Sequence, residues 1–372
     1  MDGRASVYLT DDKQELAKLR KSFEIVEERL QNDEPVYGVN TGVGESCREN
    51  VPPELTDELP ENLVRFHGCG TGEPFSRDVS RGILAIRLIT LSKGASGVRV
   101  SLLRQLCDFY NRDVIPVIPE EGSVGASGDL TPLSYLAATV MGERSVWGDG
   151  EPSAAADILA EKDLEPMDLR PKESLALMNG TSAMTALTAK CFRRATYLLK
   201  LTATMTGMLT IALEGNRCHF NDKIYALKDH PGQRRVARAV RRSLGMSDDF
   251  NGTASRGEFV QDRYSLRCVP QILGVLADSI TLMKDHLETE INGVDDNPLV
   301  DVESEEVLHG GNFYGGHVAF VADNLKNTVA NIADLMDRQL AQLVDPKMNQ
   351  GLPPNLIGVT GERQAVNHGF KA

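Results

Sequence analysis

The residues most capable of unusual chemistry are the tripeptide Ala126-Ser127-Gly128, which lies in a glycine-rich stretch at 122–134. Gly128 carries no Cβ, so its amide nitrogen can reach the Ala126 carbonyl carbon with backbone angles that other residues avoid. Ser127 supplies a β-hydroxyl that can leave as water. Closure of a five-membered ring, with loss of two water molecules, would leave an exocyclic methylene. Such a group is a stronger electrophile than any ordinary side chain.

The same stretch is also typical of a loop that leads into a helix, with Ser127 or Asp129 as the N-cap. Ala-Ser-Gly is a common tripeptide, so it does not by itself decide between a capped helix and a self-condensing loop. The flanking Gly122 and Gly125 allow the tight bend that would press the reacting atoms together. The choice between these interpretations depends on motifs elsewhere in the chain.

Three further segments carry residues suited to binding or proton transfer. Tyr37 lies among three glycines at 36–44, which predicts either a mobile loop bearing a reactive tyrosine or a surface turn with a packing tyrosine. His67 precedes another glycine-rich run, where a lone histidine is more often structural. Arg267 follows Tyr264, and its planar fork suits a carboxylate, although an ion pair is the plainer interpretation.

Taken in order, four motifs resemble the aromatic amino acid ammonia-lyase and aminomutase family, which includes the histidine, phenylalanine and tyrosine ammonia-lyases. The motifs are Tyr37-Gly38, Ala126-Ser127-Gly128, Asn179-Gly180 and the run from Gln261 to Arg267. The resemblance covers nearly all of the chain. It implies that residues 126–128 form methylidene-imidazolone, the prosthetic group that the family makes autocatalytically, with no metal and no external cofactor.

The resemblance also implies a role for each motif residue. Tyr37 would be the catalytic base on a lid, a role that nearby positive charge or dipoles must support. Asn179 and Tyr264 would position the substrate amine, and Arg267 would bind the carboxylate. The remaining implied contacts are to the substrate ring or the prosthetic group: Phe66, His67, Gln261 and Phe313.

The pair Phe66-His67 combines residue types that resemble two different groups of relatives. Phenylalanine in the first position resembles phenylalanine-selective relatives, and histidine in the second resembles histidine lyases. The expected substrate is therefore an aromatic L-amino acid, namely tyrosine, histidine or phenylalanine, converted to an arylacrylate with release of ammonia. Two alternatives stay open: an aminomutase that re-adds the amine at the β-carbon, and a non-catalytic shortened homologue.

The bulk composition argues against several classes of protein. Hydrophobic residues make up 41% of the 372 residues, and the formal net charge of -13 does not favour nucleic acid as a partner. No stretch is expected to reach the apolar length of a membrane span. The six cysteines and seven histidines are scattered, which indicates neither a disulfide framework nor a metal site. A cytoplasmic protein with reduced thiols is expected.

Helices are expected to position these residues. The hydrophobic pattern predicts long, largely apolar helices beginning near residues 183, 269 and 319, as in a buried bundle. The connection at 143–172 predicts a small hairpin and a short helix. The expected fold is mainly α: a smaller mixed N-terminal part at 1–150 carries the lid and the Ala-Ser-Gly loop, and a long-helix bundle occupies 170–372.

The resemblance further implies a homotetramer whose active sites are built from three chains, with the long helices as the shared core. Family members continue beyond Ala372 with further helices, one of which supplies a polar segment to the active site. A C-terminally shortened form would then lose a wall of that site. We therefore expect this form to turn over substrate poorly unless the segment is supplied.

Overall fold

A computed structural model describes residues 5–148, 151–248, 250 and 260–371. Within these residues the chain is mainly α-helical, as predicted, and its strands form two-stranded sheets. The α-helices are α1 (Lys13–Gln31), α2 (Leu59–His67), α3 (Arg77–Leu91), α4 (Val100–Asn111), α5 (Leu130–Val140), α6 (Ala155–Glu161), α7 (Pro171–Met178), α8 (Ser182–Ala212), α9 (Asp222–Ala226), α10 (Pro231–Ser243), α11 (Tyr264–Arg267), α12 (Val269–Asn292) and α13 (Gly316–Val344). The strands are β1 (Thr71–Pro74), β2 (Pro119–Glu121), β3 (Ser145–Trp147), β4 (Pro152–Ala154), β5 (Leu299–Asp301) and β6 (Glu306–Leu308).

The contacts within the chain define two compact units. Unit 1 comprises residues 1–190 and 286–319, and unit 2 comprises residues 191–285 and 320–372. Each unit therefore combines segments that are distant in sequence. The division in chain order between 150 and 170 that the sequence suggests stays a prediction.

The core of unit 1 forms where α5 packs against α2 and α7. Leu133, Leu136 and Val140 of α5 are all fully buried, as is Leu177 of α7. A helix that is apolar around its whole circumference must be covered on every side, which fixes α5 firmly in the core. The loop before α5 and the turn after α7 therefore rest on a rigid base.

The sheets of unit 1 are small and antiparallel. β3 and β4 form a hairpin followed at once by α6, which confirms the hairpin and short helix expected at 143–172. β1 pairs with β2, with Thr71 opposite Glu121. This pairing brings the chain that follows α2 beside the chain that enters the Ala-Ser-Gly loop.

Unit 2 contains α9, α10, α11 and parts of the long helices α8, α12 and α13. Leu209, Leu213 and Leu266 form a buried apolar cluster. Thr202, Thr206 and Thr210 are also buried on α8, and the hydroxyls of the last two donate to the carbonyl four residues earlier. These bonds satisfy polar groups inside the helix bundle.

One expectation about the apolar pattern was wrong. The helical stretch Tyr264–Asn292 is long and apolar enough to cross a membrane by length and composition alone. Its apolar residues include Val269, Leu273 and Leu276, all of which are buried. A helix that lies in a protein core meets the same criterion, because burial among other helices and burial in lipid select similar residues.

Candidate active site

The Ala-Ser-Gly loop bends so that its third residue is buried and its second is exposed. Gly128 has a φ of +72°, and a Cβ added there would lie 2.5 Å from the carbonyl oxygen of Gly180 and 2.8 Å from its nitrogen. Only glycine fits this approach of one backbone to another. Ala126 and Ser127 face solvent at the same bend. The Ser127 hydroxyl is therefore accessible while the Gly128 nitrogen is held in place.

Two hydrogen bonds fix the loop to the turn after α7. The backbone nitrogen of Asp129 donates to the Gly180 oxygen at 2.7 Å. Asn179 Nδ2 donates to the Ser127 oxygen at 2.8 Å, the oxygen that would become the ring carbonyl of a methylidene-imidazolone. The buried glycine, the exposed serine and the donor on its carbonyl fit that prosthetic group.

Asp129 lies at the N-cap position of α5, but its side chain does not cap the helix. Its carboxylate accepts from Ser123 Oγ at 2.6 Å and from the Met184 backbone nitrogen at 2.8 Å. It is fully buried, and this burial raises its pKa to about 6. The capping interpretation is therefore wrong for Asp129, which instead joins the two ends of the loop to α8.

The tyrosine loop is ordered by its own hydrogen bonds. The Gly44 backbone nitrogen donates to the Tyr37 hydroxyl oxygen at 3.0 Å. Gly38 has a φ of +64°, and a Cβ there would overlap Leu175 of α7. Tyr37 is thus anchored to α7, which ends one residue before Asn179.

The Phe66-His67 pair forms the last turn of α2. Phe66 is 75% exposed and offers its ring face, whereas His67 is partly buried. His67 Nδ1 lies 2.9 Å from the Leu63 carbonyl oxygen, so in the neutral ring the proton is assigned to Nδ1 and Nε2 is an acceptor. Arg144 Nη2 donates to the Gly68 oxygen at 2.8 Å, which fixes the backbone immediately beyond the pair.

The loop that carries Phe313 adjoins the Ala-Ser-Gly loop through one side chain. Phe313 itself is half-buried. A Cβ added to Gly125 would lie 3.8 Å from Met184 Cε, and a Cβ added to Gly315 would lie 2.8 Å from the same atom. Met184 therefore lies between the two loops. Upstream of Phe313, His309 Nε2 accepts from the Tyr37 backbone nitrogen at 3.4 Å.

Two buried ion pairs lie beneath this site, and the sequence interpretation missed both. Arg87 pairs with Asp295 at 3.0 Å, and Lys172 pairs with Asp296 at 2.8 Å. Asp295 and Asp296 belong to the connection between α12 and β5. The sequence signal available was a pair of adjacent acids next to apolar residues, but their partners are 208 and 124 positions away.

Glu290 adds a partly buried carboxyl to unit 1. Its Oε2 lies 2.9 Å from Thr181 Oγ1, and burial raises its pKa. Thr181 Oγ1 is also 2.9 Å from Asp295 Oδ2. The Thr181 hydroxyl has one proton, so it donates to either Glu290 or Asp295 at any moment.

The other three predicted residues lie together in unit 2. Gln261, Tyr264 and Arg267 all line a cavity of about 580 Å³, with Arg338 and Gln342 of α13 on its wall. The Arg267 guanidinium stacks on the Tyr264 ring at 4.6 Å from the centroid, and its Nε donates to the Asp262 oxygen at 2.9 Å. The two terminal nitrogens of a guanidinium form a fork that suits a carboxylate.

Asp262 anchors that segment in a way the sequence did not reveal. Its backbone nitrogen donates to His219 Nε2 at 2.9 Å, and its carboxylate accepts from the Asn216 nitrogen at 2.7 Å. From the other side, Gln339 Nε2 of α13 donates to the Ser265 oxygen at 3.0 Å. These contacts hold the turn that presents Tyr264 and Arg267.

No group of three or more histidine, cysteine, aspartate or glutamate side chains that could hold a metal ion occurs in the described part of the chain.

The chain belongs to the aromatic amino acid lyase family, whose match covers residues 3–372. The relatives it resembles are named as both lyases and aminomutases. It is 39% identical over 370 residues to a tyrosine 2,3-aminomutase of Chondromyces crocatus, covering 95% of this chain and 69% of that protein. It is 41% identical over 347 residues to a histidine ammonia-lyase of Bradyrhizobium diazoefficiens, covering 93% of this chain and 66% of that protein.

The fold is similarly shared with solved structures. The crystal structure of a tyrosine aminomutase from Streptomyces globisporus superposes with a TM-score of 0.87 at 35% identity, covering 97% of this chain and 71% of that one. The mainly α-helical architecture expected from the sequence is therefore that of the family. The chain spans 69% and 66% of the two sequence relatives above.

Proposed function

We propose that the chain is an ammonia-lyase that converts an aromatic L-amino acid to its arylacrylate. The observation that carries this proposal is the loop geometry: Gly128 is pressed on the Gly180 backbone, Ser127 faces solvent, and Asn179 donates to the Ser127 oxygen. Residues 126–128 would hold the methylidene-imidazolone, which supplies a carbon electrophile for the substrate amine.

The protein side chains supply the remaining tasks. Tyr37 removes the β-proton, which is weakly acidic and needs a positioned base. Arg267 holds the carboxylate by its two terminal nitrogens, and Tyr264 and Asn179 orient the amine. By resemblance to the family, these residues would meet in an assembly of several copies of the chain, with Gln261 and Phe313 also lining the site. A positive group on the carboxylate and donors near the reacting carbon stabilise charge that develops as the proton leaves.

The hydrogen bond of the His67 ring limits which substrates it can recognise. With Nδ1 directed at the Leu63 carbonyl, Nε2 accepts a hydrogen bond. A tyrosine hydroxyl or a histidine N–H can donate to it, whereas phenylalanine cannot. Phe66 provides the apolar face beside that ring. We therefore propose tyrosine or histidine as the preferred substrate, with phenylalanine a poorer one.

The first experiment tests whether the electrophile forms. Intact mass should fall by about 36 Da, the mass of two waters, relative to the encoded chain. Ser127→Ala should show neither this loss nor activity. An unmodified mass in protein that is nevertheless active would refute the mechanism.

The second experiment identifies the substrate. Tyrosine, histidine and phenylalanine are assayed side by side with wild type and His67→Leu. A site built around a hydrogen bond rejects an analogue that lacks the donor by a factor of up to about 10⁴–10⁵. His67→Leu should erase that preference. An unchanged order of preference in the variant would show that His67 does not contact the ring.

An aminomutase is the second candidate, favoured by the 39% identity to a tyrosine 2,3-aminomutase over 95% of the chain. Both activities would use the same base and carboxylate site. Product analysis separates them, because a lyase releases ammonia and an arylacrylate, whereas an aminomutase yields a β-amino acid. A shortened, non-catalytic homologue would yield neither.

A further inference from the structure

A buried ion pair lies directly behind the Ala-Ser-Gly loop. Arg87 of α3 is fully buried, and its Nη1 donates to Asp295 Oδ1 at 3.0 Å. The other oxygen of Asp295 accepts from the Thr181 backbone nitrogen at 2.7 Å and from the Thr181 hydroxyl at 2.9 Å. The pair therefore holds the backbone immediately after Gly180.

Gly180 is packed between this ion pair and Gly128. A Cβ added to Gly180 would overlap Nη1 of Arg87 and lie 2.8 Å from Asp295 Oδ1. On its other side, a Cβ added to Gly128 would lie 2.5 Å from the Gly180 oxygen. Arg87 and Asp295 thus limit how far the Gly180 backbone can retreat from Gly128.

The bonding of Arg87 argues against a purely stabilising role. Its Nε and Nη2 are buried and have no hydrogen-bond partner in the described part of the chain. Burying charged donors without partners costs free energy. Arrangements that are costly in this way are typical of functional sites, where the position of the group matters more than its contribution to stability. By contrast, Asp296 bonds both Lys172 and Ser96, at 2.8 and 3.0 Å.

We propose that Arg87, together with Asp295, is a positioning residue for ring closure at residues 126–128. The inference rests on the proposed function, since it assumes that the ring forms. The ion pair touches none of the reacting atoms. It acts through Gly180, which keeps the Gly128 nitrogen from moving away from the Ala126 carbonyl carbon.

The ring-closing step balances without an added reagent. The Gly128 nitrogen bonds to the Ala126 carbonyl carbon, and a double bond forms between that carbon and the Ser127 nitrogen. The Ala126 oxygen leaves as water with the amide hydrogens of Gly128 and Ser127. A second water takes Ser127 Oγ and the Ser127 Cα hydrogen, which leaves the methylene.

The test follows mass loss with time after cell-free synthesis of the full chain. Arg87→Lys keeps the charge but loses the fork, and Asp295→Asn keeps the shape but loses the charge. Asp296→Asn is the matched control, because this carboxylate is equally buried but holds Lys172 and Ser96. The first two variants should lose mass about tenfold to a hundredfold more slowly than wild type, as expected for misplaced reacting groups.

Thermal unfolding and circular dichroism are measured on each variant, so that rates are compared among folded proteins. If Asp295→Asn does not fold, the rate of mass loss in Arg87→Lys alone tests the inference. Wild-type rates in Arg87→Lys, or equal slowing in Asp296→Asn, would overturn the inference while the proposed function stands. A wild type that never loses mass would overturn the proposed function and this inference together. The measurement on wild type therefore distinguishes failure of the proposed function from failure of the inference alone.

Discussion

Asp129 is the residue whose behaviour departs furthest from what its sequence context suggests. An aspartate just before a helix is expected to cap it, yet here it is buried and accepts from Ser123 and Met184. Local sequence could not reveal this role, because Met184 is 55 positions away and reaches Asp129 only once α5 and α8 have packed. The local sequence predicts a helix after the loop but not the partner of the carboxylate.

Burial of Asp129 predicts a pH dependence of stability. Its pKa is raised to about 6 in the folded protein, above its value in the unfolded chain. The folded state therefore binds the proton more tightly, so this contribution to stability is complete below about pH 4 and is lost as pH rises through about 6. Its size is on the order of 2–3 kcal/mol, since one pKa unit corresponds to about 1.4 kcal/mol.

The measurement compares wild type with Asp129→Asn by denaturant unfolding at several pH values. The difference in the free energy of unfolding, wild type minus variant, should fall between about pH 4 and pH 7 and be flat above that. Subtracting the variant removes contributions from Glu290 and other carboxyls. A difference that rises with pH would contradict the raised pKa.

Tyr37→Phe tests the proposed base. The substitution removes the hydroxyl that accepts from Gly44 but keeps the ring. We expect kcat to fall by about 10²–10⁴, the usual contribution of a positioned acid or base. The mass loss at residues 126–128 should be unaffected, because Tyr37 takes no part in ring closure. Turnover close to that of wild type would remove Tyr37 from this role.

At the scale of elements, the helical pattern was the most informative part of the sequence. The helices expected to begin near residues 183, 269 and 319 begin at Ser182, Val269 and Gly316. Periodic apolar residues specify such elements locally. The same pattern cannot specify which loops meet, so it missed the ion pairs of Arg87 and Lys172, whose partners come from the segment after α12.

The tyrosine loop offers a matched test of how an element positions a side chain. Gly38 and Gly44 have φ values of +64° and +59°, so alanine is strained at both. At Gly38 the new Cβ would overlap the Leu175 side chain. At Gly44 the new Cβ would have no neighbouring atom within 4 Å. Gly44→Ala should cost about 1–2 kcal/mol from backbone strain alone.

Gly38→Ala should cost about 1–3 kcal/mol more than Gly44→Ala, because a buried neighbour must move. It should also lower kcat by shifting Tyr37, whereas Gly44→Ala should affect kcat less. Denaturant unfolding and steady-state kinetics on both variants measure these differences. Equal destabilisation by the two substitutions would show that Leu175 yields freely and does not fix the loop.

At the scale of the whole molecule, helix α8 carries an apolar stripe on its surface. Tyr197, Met208 and Ile211 are 63%, 64% and 53% exposed. Their spacing of 11 and 3 positions places them on one face of a helix with 3.6 residues per turn. An exposed stripe of this kind marks an interaction surface more often than a solvated face. We propose that this face joins copies of the chain in a homo-oligomer, which resemblance to the family suggests is a tetramer.

The stripe predicts that Met208→Glu and Ile211→Glu will lower the oligomeric state, because a carboxylate buried at an apolar interface has no partner there. Leu227→Glu is the matched control: Leu227 is 91% exposed and lies outside α8. Light scattering on each protein gives its mass in multiples of the 40.6 kDa chain. We expect wild type and Leu227→Glu to share one oligomeric mass and the two stripe variants to have a smaller one. An unchanged mass in both stripe variants, or a monomeric wild type, would show that this face of α8 does not join copies of the chain.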